Sequence, residues 1–195
     1  MRLLGLLGFL VLAGGAVAAM ALQQGRVPGA LTVEARTVTR AFATALKAEL
    51  KAAISKGGPV AGIRVCHERA PAIAERVGDT HGWTVGRTSH RLRNPANAPD
   101  AWEREGLRAF MLQIARGRDA ATLERTLARE RDGSRTFRYM KPIIMGDVCT
   151  LCHGTSLSPD IQAALDRLYP ADEATGFEPG DLRGAFTLTR TMPVP

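Results

Sequence analysis

Within five residues, "CTLCH", the chain sets two thiols and an imidazole at Cys149, Cys152 and His153. Any fold it adopts must carry all three on one short turn, with room beside them for whatever they hold. A redox dithiol would want Cys149 at a helix N-terminus in an electropositive pocket, and nothing in the flanking residues marks that architecture. Zinc would want two more ligands, yet the chain has a single further cysteine, Cys66 in "GIRVCHERAP", and no second C-x-x-C pair. A Cys149–Cys152 disulfide would close too small a loop to constrain the unfolded chain much. Covalent haem attachment needs two thiols that can each reach a vinyl group, and a histidine close enough for the iron to fall under its ring. C-x-x-C-H meets those demands. The motif therefore points to one haem c, anchored by Cys149 and Cys152, with His153 as the proximal iron ligand.

The compartment agrees. A single Arg2 precedes an apolar run from Leu3 to Leu22, with small residues that fit an A-x-A cleavage site at Ala16 and Ala18 or at Ala19 and Ala21. Residues 1–21 read as a signal peptide or as an uncleaved anchor, since the run of residues 3–22 is also long enough to span a bilayer. Both readings place the rest of the chain in the periplasm, soluble or tethered to the inner membrane, where c-type haem is attached by the cytochrome c maturation machinery. In that oxidising setting an odd thiol is a liability unless buried or coordinated, which makes Cys66 a candidate for the far side of the iron. Spacing alone leaves His67, His81, His90, the methionines, or an empty position as alternatives.

At 195 residues there is room for one domain with a core, read here over 31–195. The 26 Lys and Arg outnumber 19 Asp and Glu, giving a net charge of +7, but the arginines are spread along the chain without aromatic interleaving or a nucleic-acid motif. A solvated basic surface is expected, with no nucleic acid as partner.

Apolar spacing predicts an amphipathic helix over 31–56 that halts at "SKGGP", and a segment 60–78 that Pro71 kinks or restarts. "WTVGRTSHRLR" at 83–93 reads as a strand leading into the "NPANAP" loop. Asp100 and Glu103 form a capping-box pattern before a helix ending near Gly117, and a weaker helix is expected through Leu123 and Leu127. "RDGS" at 131–134 is a turn, "RTFRYMKPIIM" a strand, "SPDIQAALDRLYP" a short helix and "GDLRGAFTLTR" a final strand. Helices and strands mix without strict βαβ alternation, so the expected class is α+β with a small antiparallel sheet.

Four ordered stretches, "VCHERAPAIA", "GRTSHRLRNPANAPDAWE", "YMKPIIMGDVCTLCHG" and "GDLRGAFTLT", resemble a family of exported haem-c proteins first described as a domain of unknown function. The resemblance runs from about residue 35 to 192. It implies a single PAS-like domain, a sheet flanked by helices, and an iron ligated axially by His153 and Cys66. It also suggests that the "RNPANAP" loop and the Tyr139–Pro142 strand wall the pocket. Arg64, Arg87, Arg91 and Arg93 are then candidates to pair haem propionates or steady a thiolate, because a guanidinium suits carboxylate contacts. With both axial positions filled, catalysis is not expected. One-electron transfer with a redox partner protein, or redox or gas sensing (CO or NO) with a separate signalling partner, are the functions implied.

Overall fold

The computed structural model describes residues 13–194. The signal or anchor segment read over 1–21 falls outside the described residues as far as residue 12. No helix among the described residues is long and apolar enough to cross a membrane.

An Asp-Gly pair starts the sheet. Asp132 and Gly133 both take positive φ (51° and 71°), which a tight hairpin requires, and they join β2 (Arg125–Arg131) to β3 (Ser134–Ile144). β3 pairs antiparallel along its length with β4 (Leu182–Pro193), and β4 pairs antiparallel with β1 (Thr84–Thr88), giving the order β1-β4-β3-β2. Side chains on β3 alternate between faces as the pleat dictates. Phe137 and Tyr139 pack with Leu31, Ala35 and Val38 of α1 (Ala13–Glu68), whereas Met140 packs with Leu107 and Phe110 of α3 (Ala101–Ala115). The fold is thus α+β, with a four-stranded antiparallel sheet covered by helices, as expected.

α1 is broken at Gly57 and Gly58, where φ reaches 71° at Gly58, a conformation that a side chain would strain. Beyond the break the helix resumes and carries Cys66, so that cysteine is helical. The chain then bends into α2 (Ala70–His81), which has Pro71 in its first turn, where a proline lacks nothing the helix needs. α3 opens on the expected box: Asp100 accepts from the Glu103 amide at 2.9 Å and Glu103 accepts from the Asp100 amide at 3.0 Å.

Two expectations are corrected. The weaker helix through Leu123 and Leu127 is a short turn of 3-10 helix (Ala120–Thr122) followed by β2, because hydrogen bonding to β3 outweighs local helix preference. The strand over 83–93 ends at Thr88; after it Ser89 Oγ donates to the carbonyl of Arg183 at 2.7 Å and the chain turns toward the "RNPANAP" loop.

Candidate functional site

A cavity of about 730 Å³ opens between α1 on both sides of its break, α2, β1, the "RNPANAP" loop and the C-x-x-C-H turn. Cys66, Cys149, Cys152 and His153 all stand on its wall. All three cysteines are free thiols, so no Cys149–Cys152 disulfide is formed.

The C-x-x-C-H turn is built by local bonds. A 3-10 turn (Asp147–Cys149) runs into the one-turn helix α4 (Thr150–His153), and the amide of Gly154 closes it on the carbonyl of Thr150 at 2.9 Å. Gly154 is required there, since a Cβ would lie 2.5 Å from that same carbonyl. The loop 172–177 then runs alongside: the amides of Gly176 and Phe177 donate to the carbonyls of Gly154 and His153 at 2.8 and 2.9 Å.

His153 is oriented by this loop. Its Nδ1–H donates to the carbonyl of Ala174 at 2.6 Å, which fixes the tautomer and leaves Nε2 unprotonated, the nitrogen that could ligate a metal. Arg93 Nη1 lies 3.5 Å from that Nε2. Burial, with Arg183 and Arg93 nearby, pushes the imidazole down to about 2 and keeps it neutral, the form that ligates. Ala174 is held in turn, its amide donating to Asp172 Oδ1 at 2.8 Å. Arg93 completes the frame: it pairs with Asp172 at 2.8 Å and donates to the carbonyls of Cys152 and Ala174 at 2.6 and 3.2 Å. Both members of that pair are about nine-tenths buried, with side-chain exposures of 9% each.

Cys66 reaches the cavity differently. It lies one turn beyond Ile63, which packs with Ile161, Ala164 and Leu165 of α5 (Pro159–Leu168). Burial pushes its thiol up, against the opposing pull of Arg87, Arg93 and Arg183. Among the other residues open as distal ligands, Met145 also lines the cavity, but it is enclosed with Ala174, Phe177 and Cys149 around the loop that holds His153. His67, His81, His90 and Met140 are not on the wall. Met140 is instead buried beneath α3.

The four arginines separate. Arg87 and Arg93 line the cavity. Arg64 does not: it is exposed and sits two residues from Cys66, about 200° round the helix at ~100° per residue. Arg91 is also off the wall, spent on the loop, where it donates to the carbonyls of Glu173 and Thr175 and lies 4.3 Å over the Phe177 ring. The sequence reading missed Arg183, which lines the cavity, and Asp172, which holds the frame of His153. An arginine inside the otherwise apolar start of β4 was a usable signal for the first. "YPADEATG" offered none for the second beyond a turn.

The donors fit a cofactor that brings its own metal. Among the described residues no group of three or more His, Cys, Asp or Glu is gathered closely enough to hold a bare ion. One imidazole and three thiols instead stand apart round a large, mostly apolar cavity, of a size usual for an organic cofactor.

A family model described as Tll0287-like matches residues 19–190. No curated protein matches. Among solved structures, the chain resembles the crystal structure of the cyanobacterial heme-protein Tll0287, at 25% identity over 64% of this chain and 69% of that one, with a TM-score of 0.49.

Proposed function

The chain belongs to the Tll0287-like family, and from that premise we propose that it is an exported mono-haem c-type cytochrome acting in one-electron transfer. The observation that carries the reading is the wall of one cavity bearing His153, with Nε2 unprotonated, together with Cys66 and the pair Cys149 and Cys152.

In this reading Cys149 and Cys152 would form the two thioethers, and His153 Nε2 and Cys66 would hold the iron. When bound, haem c supplies an iron that accepts and releases a single electron. The chain's residues tune that exchange. A thiolate ligand from Cys66 stabilises the ferric state, so the potential lies below that of a His/Met centre. The Ala174 carbonyl raises the basicity of His153 by accepting a hydrogen bond from its Nδ1–H. With His153 and Cys66 both given to the iron, a substrate would find no open position on it, and we expect no enzymatic turnover. The PAS-like description of the domain, the periplasmic location and the cleavage or retention of residues 1–21 belong to the same proposal, as do a redox partner protein and loading by the cytochrome c maturation machinery.

One observation favours a second reading, a redox or gas sensor that signals to a separate protein. Cys66 rides on a helical segment set off by the break at Gly57 and Gly58, and a segment so joined can move if the thiolate leaves.

Two measurements test these readings. Protein expressed with the maturation machinery should be coloured and heavier than the polypeptide by one haem; a colourless product at polypeptide mass overturns the proposal. Exposing the ferrous protein to CO then separates the functions: an unmoved Soret band supports the carrier, and a prompt shift supports the sensor.

A further inference from the structure

Most charged side chains on the cavity wall are answered. Lys47, Glu75 and Asp79 are exposed to water. Glu103 meets Arg138 at 3.0 Å and accepts from Thr187 at 2.7 Å, and Arg93 is taken by Asp172. Arg87 and Arg183 are the exceptions, for no carboxylate among the described residues pairs with either. Arg183 Nη1 donates to Ser89 Oγ at 2.8 Å and to the carbonyl of Arg91 at 3.1 Å, and the guanidinium lies 5.3 Å from the Phe177 ring, but all of these are neutral, and its buried Nε has no hydrogen-bond partner. The Arg87 guanidinium has an aromatic neighbour only at the margin of cation–π range, 6.0 Å from the Phe42 ring.

Arg87 and Arg183 are half-buried and face the same cavity, and two partly desolvated guanidiniums with no carboxylate partner there need a reason. We propose that Arg87 and Arg183 are the counter-charges for a cofactor with two carboxylates, each guanidinium receiving one. The inference deepens the haem reading and rests on it, since a haem carries two propionates. It also replaces the wider set of four arginines: Arg93 is spent on Asp172, Arg91 on the loop 173–176, and Arg64 points elsewhere. Burial pulls Arg183 down to about 10 and holds Arg87 below its ordinary value; an arriving carboxylate would reverse both. The planar fork of each guanidinium suits a bidentate carboxylate, which a lysine ammonium could not reproduce.

Resonance Raman spectra of the haem-loaded protein read the contact directly through the propionate-bending band. Arg183→Gln and Arg87→Gln should each shift that band and lower the midpoint potential, because a positive charge near the iron is lost. Arg183→Lys should restore the potential and leave the band displaced, while Arg64→Gln should change neither. A band unmoved in both Gln variants of coloured, folded protein overturns the assignment. Should Arg183→Gln not accumulate, an unmoved band in Arg183→Lys does the same. A colourless wild type defeats the haem reading itself, a result separable from the others.

Discussion

His153 and Cys66 stand on the wall of one cavity and are held there by different physics. Around His153 every link is a hydrogen bond with a named partner: ring to Ala174, Ala174 to Asp172, Asp172 to Arg93, and Arg93 back to Cys152. Around Cys66 the support is apolar, through Ile63 on α5, on a helix segment joined to the rest of α1 by two glycines. A polar frame fixes direction as well as position, because an unmet buried group costs more than a displaced methyl. An apolar seat fixes position with little directional demand. The comparison teaches that His153 is held in direction as well as position, and Cys66 in position alone.

The sharpest way to break the contrast is to cut the polar frame. Asp172→Ala strands the buried Arg93 guanidinium and should cost the haem-loaded protein about 3–5 kcal/mol in urea unfolding. Cys66→Ala should cost no more than about 1–2 kcal/mol while changing the visible spectrum most. Equal losses from the two would mean that the sides are not held differently. A smaller effect is expected at the α1 break, where Gly58→Ala puts a side chain at φ 71° and should cost about 1–2 kcal/mol. If Cys66 is steered by that break, the same variant also alters the ferric spectrum; an unaltered spectrum detaches the break from the site.

The smallest effect lies in the first half of α1, which is tied to the sheet by charge. Arg36 pairs with Glu124 at 2.5 Å, and Tyr139 donates to the same carboxylate at 3.0 Å. The Arg36 bond holds Glu124 below its ordinary 4.5. The folded value is the depressed one, so this contribution is complete above about pH 4.5 and fades as pH falls through the folded value. Acid titration of stability should therefore show a component that Glu124→Gln removes. A variant with the wild-type acid profile would show that the clamp contributes nothing.

Much of this was legible in the chain. "RDGS" encoded its hairpin because only a few residues accept positive φ, and Asp100 with Glu103 encoded a helix start because both partners lie within one turn. C-x-x-C-H specified the turn at 149–153 for the same reason. What stayed hidden depends on contacts distant in sequence. β2 looks helical until β3 pairs with it. Arg91 and Arg93 look alike in sequence, yet one is drawn onto Phe177 and the other onto Asp172, both more than seventy residues away. Asp172 could not be found at all, since its role exists only once Ala174 reaches His153.

The proposal to test first is that Cys66 and His153 would both ligate one haem iron. Electron paramagnetic resonance of the ferric, haem-loaded protein tests it when wild type and Cys66→Ala are compared at equal haem content. The account predicts a low-spin signal of thiolate character in wild type that is lost in the variant. Identical signals from the two proteins would contradict it.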